Sequence, residues 1–431
     1  MLRGFANIVK IPDLRRKVAF TLAIIALYRL GAHVPLPGVD YGALQSFLEA
    51  QQQQGGVTQL VSLFTGGALI QMSVFALGIM PYITASIIMQ LLKVVIPKIE
   101  EWQKEGETGQ QKITQWTRYL TVVLAVLQST AVVVMIRNGG GALFGGNSIP
   151  GLMPNPSIGL MLLMILTLTA GTAFIMWLGE LITEKGIGNG MSLIIFAAVV
   201  SRMPGLGVQV FAGKGTVGLT LVLLTGVLLV FAVVFVELGQ RRIPVQYAKR
   251  TVGRRTYGGT ETYIPLKVNQ AGVIPIIFAS SLLFLPNLVS SISSSVTVTR
   301  FVNEYLQQND PVFILLYIAM TIFFAFFYTA ITFNPTDVAD NMKKFGGFIP
   351  GIRPGRPTAE YIDHVLTRIT TAGSLYLGAI AALPFVVFAL FGIPFIFGGA
   401  VLLIAVGVML NTLQQIESQL MQRHYEGFLR S

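Results

Sequence analysis

The chain has 431 residues, of which 53% are hydrophobic and 11% charged, with a mean hydropathy of +0.69 and a net charge of +11. Ordinary globular proteins carry charge on about a quarter of their residues, so this composition excludes that class and indicates a protein of the lipid bilayer. The absence of cysteine excludes disulfides, thiolate metal sites, iron–sulfur clusters and cysteine nucleophiles.

Apolar runs predict ten membrane spans and an all-α fold. The N-terminal MLRGFANIVKIPDLRRKVAF has charges and a proline before its first apolar run and no small-residue cleavage site, so we expect a retained span rather than a removed signal. A helix needs about 20 apolar residues to cross the roughly 30 Å hydrocarbon layer. The predicted spans are 18–35, 76–96, 118–136, 158–181, 187–201, 217–236, 272–290, 312–333, 369–391 and 393–416.

The second apolar stretch, LFTGGALIQMSVFALGIMPYITASIIMQLL at 63–92, is too long for one span and too short for two. Gly66 and Gly67 interrupt it early, and Gly78 and Pro81 interrupt it again. Non-helical backbone at membrane depth is tolerated only where protein or a water-filled cavity surrounds it. The stretch therefore predicts a cavity inside the helix bundle, and an over-long, kinked and tilted helix is the alternative.

The fifth predicted span is the weakest, because only sixteen residues separate Lys185 from Arg202. Cytoplasmic loops of membrane proteins carry an excess of Lys and Arg, and this bias can decide the number of crossings. With ten spans, 25 of the 30 Lys and Arg residues fall on one side of the membrane, whereas without the fifth the division is nearly even. We therefore expect ten spans with both termini in the cytoplasm.

Two loops on the predicted cytoplasmic side are too long to be simple connectors. The first basic loop, about 239–270, contains RRIPVQYAKRTVGRRTYGGTETYIPLKVN, and the second, about 334–366, contains NPTDVADNMKKFGGFIPGIRPGRPTAEYIDH. Neither has the Ser- and Glu-rich composition of disorder, so we expect ordered protrusions. Cations interleaved with tyrosines suit a phosphate backbone or an acidic protein partner, with anionic lipid as the simpler alternative.

Ten spans divide into five and five, and an odd number in each half requires that a duplicated half insert upside down. The predicted halves are 1–205 and 206–431. Many secondary transporters share this architecture, so a carrier of a small solute is the alternative function. A carrier would be expected to hold ionisable residues near the bilayer midplane, but the span centres here are apolar or carry only amides. Four charged residues lie at span ends instead: Arg29, Glu180, Glu237 and Glu417. No catalytic or cofactor motif is present, so we expect neither an enzyme nor a bound cofactor.

Five motifs in order resemble the SecY family of protein-conducting channel subunits: PYITASIIMQLL, TEKGIGNGMSLIIF, ELGQRRIPVQYAKR, YIPLKVNQAGVIPIIFASS and FGGFIPGIRPGRPTAEYIDHVLTRIT. The resemblance covers residues 11 to 429, and its departures are a glycine-rich loop at 137–148 and a short C-terminal tail. It implies two inverted five-helix halves around an hourglass pore in the inner membrane. Such a channel passes unfolded preproteins across the membrane and releases hydrophobic segments, including signal sequences, sideways into the bilayer.

The resemblance also implies two elements that close the pore. A plug helix at about 60–75 would include Leu63, Phe64, Thr65, Gly66 and Gly67. The waist of the pore would be an apolar ring formed by Ile79, Ile83, Met191, Ile195, Ile277 and Val408. Aliphatic side chains can exclude ions by dewetting and can close around a chain of any sequence, because they offer no specific hydrogen bonds. Met departs from the usual Ile, but its flexible thioether can fill the same role.

The sideways exit would be a lateral gate between spans two and three on one side and seven and eight on the other. The resemblance places Thr84, Gln128 and Asn269 there as a polar cluster, with Leu285 across the seam from Thr84. Polar contacts between membrane helices are worth about 0.6 kcal/mol on average, which suits a contact that must break and reform. The alternative is that each polar residue bonds within its own half.

The resemblance implies the partners SecE and SecG in the membrane, and the SecA ATPase or the ribosome as the source of energy. Tight turns in VGRRTYGG and FIPGIRPG would present arginines outward for bidentate contact with phosphate or carboxylate. We expect Arg254 and Arg255 to contact ribosomal RNA and Arg353 to contact the ATPase. The alternative is that these arginines serve only to orient the chain in the membrane.

Overall fold

The computed structural model describes residues 11–50, 67–140, 149, 151–154, 156–247, 250–252, 255–257, 261–292, 300, 302, 306, 310–391 and 399–429. Its helices are α1 (Pro12–Gly31), α2 (Tyr41–Ala50), α3 (Met80–Val95), α4 (Pro97–Lys104), α5 (Glu107–Arg137), α6 (Ile158–Lys185), α7 (Gly190–Val200), α8 (Met203–Leu238), α9 (Ile274–Ile292), α10 (Pro311–Thr332), α11 (Pro335–Lys344), α12 (Arg356–Phe391) and α13 (Gly399–Leu429). The strands are β1 (Gln240–Tyr247), β2 (Arg250–Val252), β3 (Arg255–Tyr257), β4 (Glu261–Lys267) and β5 (Gly347–Phe348).

The chain is a mostly helical membrane protein, and a helix overlaps each of the ten predicted spans. Among the described residues, seven helices are long and apolar enough to cross a membrane, or eight if α3 and α4, which bend by 97° at their junction, form one span. α1 falls outside this set because charged residues occupy its first turns. The count of ten spans stays a prediction.

Local sequence explains where several helices begin. Proline occupies the first turn of α1, α4, α10 and α11, where its missing N–H costs no hydrogen bond. Ser157 caps α6 by accepting a hydrogen bond from the backbone N–H of Leu160. Asn189 caps α7 by accepting from the N–H groups of Met191 and Ser192. This cap fixes the first turn of the short fifth span.

The helices of the two predicted halves pack in a similar order. In the first half, α3 contacts α5, α5 contacts α6, α6 contacts α7, and α1 contacts α7. In the second half, α9 contacts α10, α10 contacts α12, α12 contacts α13, and α8 contacts α13. The halves meet where α7 contacts α13 and where α9 contacts α3 and α5. This repeated order is what the inverted repeat predicts, although the boundary at residue 205 stays a prediction.

The two basic loops form one structural unit. β1 pairs antiparallel with β4 of the same loop, and its last residues pair with β5 of the second loop, Gln246 with Phe348 and Tyr247 with Gly347. Beneath the sheet lies a shared apolar core that includes Ile243, Leu266, Met342, Ile349 and Ile362. α12 begins within the predicted second loop, because its helix continues beyond the apolar residues of the span.

Candidate functional site

The six residues of the predicted ring lie in a single hydrophobic cluster. Ile79, Ile195, Ile277 and Val408 are buried in it, and Ile83 and Met191 pack against it partly buried. They come from α3, α7, α9, α13 and the residue that precedes α3, so each half contributes to the cluster. The cluster therefore joins helices of both predicted halves.

Glycines bring α7 close to α6 and so position two members of this cluster. A Cβ on Gly190 would lie 1.9 Å from the carbonyl oxygen of Gly179, which only glycine avoids. A Cβ on Gly179 would lie 2.4 Å from Sδ of Met191, so the thioether packs directly over α6. Ile195 lies one turn further along α7 and is 5% exposed. The crossing therefore fixes Met191 and Ile195 relative to α6.

The segment 67–79, called the anchored segment here, packs against this cluster through Ala68, Phe75 and Ile79. Leu36 N donates to Met72 O at 2.9 Å, and Val74 N donates to Val34 O at 2.9 Å. The Phe75 ring stacks on Tyr28 with centroids 6.0 Å apart and lies 6.1 Å from Phe174. These contacts tie the anchored segment to α1, to α6 and to the loop that follows α1.

Of the predicted plug at about 60–75, the structure describes residues 67–75. Leu63, Phe64, Thr65 and Gly66 lie outside them, and Gly67 begins the anchored segment. The described part, 67–75, consists of turns rather than the expected helix. Gly67 at φ +87° and Met72 at φ +46° break helical geometry, and the bridge between Pro35 and Ser73 uses backbone groups that a helix would need.

The predicted gate helices are neighbours, because α9 contacts both α3 and α5. Ile87 of α3 is buried in an apolar cluster with Phe278 and Leu283 of α9. Thr84 Oγ1 donates within its own helix to Met80 O at 3.0 Å. Gln128 is half-buried on α5, and Leu285 belongs to α9.

The third polar gate residue, Asn269, also bonds within its own half. Its Nδ2 donates to Glu237 Oε1 of α8 at 2.6 Å and to Gly272 O at 3.1 Å. The hydrogen bonds of Thr84 and Asn269 therefore follow the alternative arrangement, and a polar cluster across the seam stays a prediction. Sequence reasoning noted Glu237 only as a charge at a span end. Its place next to the first basic loop was the one available signal.

The basic loops present their arginines differently. Arg353 is exposed between Gly351 at φ +82° and Gly355 at φ +104°, and Thr358 Oγ1 donates to its carbonyl oxygen at 2.8 Å. Arg255 begins β3, which pairs with β2, and Arg254 lies outside the described residues. On the larger sheet, the guanidinium of Arg242 lies 4.7 Å from the ring centre of Tyr263, a cation–π contact that the sequence analysis missed.

Comparison with known proteins identifies the family to which this chain is similar. The SecY family model matches residues 73–413. The protein translocase subunit SecY of Streptomyces scabiei is 56% identical over 445 residues, which cover all of both chains. A solved structure of a protein conducting channel matches with a TM-score of 0.62 at 18% identity and covers 93% of this chain and 91% of that chain. Sec61 in the canine ribosome–channel complex from the endoplasmic reticulum matches with a TM-score of 0.59 at 17% identity, with the same coverage.

Proposed function

We infer that this chain, which belongs to the SecY family of protein translocase subunits, forms a channel for unfolded preproteins. The channel would lie in the inner membrane, with both termini of the chain in the cytoplasm. The observation that carries this proposal is the apolar cluster, which contains all six predicted ring residues among other buried side chains. Both halves of the chain contribute to that cluster. A pore that opens between the halves would pass through it.

The closed pore would exclude ions because its narrowest part is aliphatic. Water leaves a constriction lined only by such side chains, and an ion cannot cross it without its hydration shell. A translocating polypeptide would part α3 and α7 from α9 and α13. The side chains would then close around it without specific hydrogen bonds, so that preproteins of many sequences could pass.

The plug would act next to this ring. Of its predicted residues 60–75, those from Gly67 onward belong to the anchored segment, and the backbone at Gly67 has a positive φ and lies close to Arg202. From Ala68 onward, the chain is held by the hydrogen bonds and ring contacts of the anchored segment. We therefore propose that the part of the plug before Gly67 moves by pivoting near that glycine while the anchored segment stays in place.

Sideways release would occur where α9 meets α3 and α5. This contact is largely apolar at Ile87, Phe278 and Leu283, so a hydrophobic segment or lipid can replace one side of it at little cost. Helices in a bilayer have no hydrophobic driving force to stay together, since lipid is equally apolar. The seam can therefore open for a signal sequence and close again.

Partners would bind at the unit formed by the two basic loops, while SecE and SecG complete the channel within the membrane. Ribosomal RNA would bind at Arg254 and Arg255 of the first loop and the SecA ATPase at Arg353 of the second, and β1, β4 and β5 join these two loops in one sheet. Replacing Arg254 and Arg255 with glutamate should weaken ribosome binding and reduce its dependence on salt, because each lost phosphate contact removes released counterions. Unchanged binding would indicate that these arginines serve only to orient the chain in the membrane.

Transport by the reconstituted channel tests the proposed function. The purified chain is incorporated into lipid vesicles with SecE and SecG, and SecA, ATP and an unfolded preprotein are added outside. We expect the preprotein to become protected from added protease in an ATP-dependent manner. Saturable flux of a small solute without any partner, together with no protected preprotein, would instead support the carrier.

A further inference from the structure

The two ends of the first basic loop are fastened together where the loop leaves the membrane helices. Val268 N donates to Gly239 O at 2.9 Å, and Asn269 Nδ2 donates to Glu237 Oε1 at 2.6 Å. Glu237 lies in the last turn of α8, and Asn269 lies between β4 and α9. This junction, formed by Glu237, Gly239, Val268 and Asn269, therefore fixes the start of the gate helix α9 to the end of α8.

The side-chain amide of Asn269 has no further N–H group free to donate across the gate. It is 4% exposed, and the same Nδ2 also donates to Gly272 O at 3.1 Å, in the turn into α9 where Gly272 has φ +62°. Both N–H groups of its side-chain amide therefore donate to acceptors within its own half. Asn269 could therefore act across the gate only through its oxygen, as an acceptor.

A third helix packs against the junction. A Cβ on Gly373 of α12 would lie 2.3 Å from Val268 O, so glycine is needed for this approach. The buried hydroxyl groups of Thr370 and Tyr376 on α12 make no hydrogen bond among the described residues. Among the described residues, Glu237 makes no ion pair, and its carboxylate accepts a hydrogen bond from Asn269 Nδ2. Such a carboxylate is sensitive to any change in that one bond.

We propose that Glu237 is a positioning residue that holds the start of α9 through Asn269 and thereby keeps the lateral gate closed until a partner pulls on the first basic loop. The proposal rests on the channel function above. A force on β1 or β4 reaches the junction directly, since both strands end within two residues of it. Weakening the bond should therefore favour the open gate rather than merely reduce the amount of folded protein.

A reversal of the hydrogen bond tests this role. Asn269→Asp places a second carboxylate against Glu237 and should loosen the gate. Glu237→Gln alone keeps an acceptor oxygen and should have a smaller effect. In the double variant, the glutamine introduced at position 237 can donate to the aspartate introduced at position 269, which restores this bond with its direction reversed. The bond to Gly272 O is lost in both variants that carry Asn269→Asp, so the difference between them reports the bond to position 237.

The readout is transport by the complete reconstituted complex of two preproteins, one with an intact and one with a defective signal sequence. We expect Asn269→Asp to raise passage of the defective preprotein about tenfold, within the range of 5- to 150-fold typical of coupled equilibria, and to leave the intact one near its normal rate. The double variant should return passage of the defective preprotein to within about threefold of the unmodified chain.

Two results would overturn the proposal. One is an equal loss of both preproteins in Asn269→Asp, which indicates structural damage, and the other is no restoration in the double variant. If Asn269→Asp does not accumulate in the membrane, Glu237→Ala removes the acceptor without adding charge, and it must raise passage of the defective preprotein for the proposal to stand. A failure of the unmodified chain to transport the intact preprotein would count against the channel function instead.

Discussion

Replacing Gly171 with alanine should break the seal of the closed channel by displacing the anchored segment. A Cβ at this position of α6 would lie 2.3 Å from Val74 O, 3.1 Å from Val74 Cγ1 and 3.2 Å from Phe75 Cδ1. Ordinary contacts between such atoms are near 3.5 Å, so the segment must move by about 1 Å. That movement strains the bond from Val74 N to Val34 O and the stacking of Phe75 on Tyr28.

The size of the effect follows from the steric overlap. Overpacking of this kind costs about 1–3 kcal/mol, and here the obstacle is a backbone oxygen that cannot change rotamer. The higher helix propensity of alanine stabilises α6 equally in the sealed and unsealed states, so it does not change their ratio. A cost of about 1–2 kcal/mol to the closed arrangement raises the population of an unsealed state about 5- to 30-fold.

Ion conductance of the purified complex in a planar bilayer measures this population. Gly159→Ala is the matched control, because it lies on the same helix and its Cβ would meet nothing within 4 Å. We expect a 5- to 30-fold rise in the conducting fraction for Gly171→Ala and no rise for the control. If both variants conduct like the unmodified channel while Gly171→Ala is equally stable to heat, the anchored segment does not support the seal.

Three further changes test other parts of the channel. Ile277→Asn buries an amide in the apolar cluster at a cost of about 1–3 kcal/mol, so it should loosen the closed state and admit preproteins with defective signal sequences. Continued rejection of these preproteins would show that Ile277 does not line the constriction. A cysteine pair at Thr84 and Leu285 should form a disulfide that blocks transport until reductant is added, and the chain has no native cysteine to interfere. Failure to crosslink in any state would show that these two positions are not neighbours across the gate. Arg353→Glu, at an exposed turn, should abolish SecA-driven transport with little change in stability or ribosome binding, and normal transport would contradict the assignment.

The sequence predicted the apolar helices well, because each depends on a local property, whereas the count of ten spans stays a prediction. Uninterrupted apolar runs of suitable length can only be helices in a bilayer, and the charges that bound them mark the ends. The pairs Ile79 with Ile83 and Met191 with Ile195 could be expected to share a face, since residues four apart on a helix do so. The prediction that these residues form one ring with Ile277 and Val408 rested on the family resemblance.

Contacts between distant parts of the chain could not be predicted in this way. The pairing of Gln246 with Phe348 joins residues about a hundred positions apart, and the two-residue strand β5 leaves no alternating pattern to detect. The anchored segment has helical composition, but bonds to the loop after α1 replace helical bonds. Glu237 read as one more charge at a span end, because only the folded chain brings Asn269 to it.

Crosslinking of a preprotein arrested midway through the channel tests most directly whether the apolar cluster is the pore. A photoreactive side chain is placed in turn at Ile195, Ile277, Val408 and, as a control, Phe231, which is 74% exposed on α8. We expect the arrested preprotein to crosslink to the first three positions and not to Phe231, and the idle channel to give no such product. Crosslinks to Phe231 alone, or equal crosslinks at all four positions, would show that the polypeptide does not pass through the cluster.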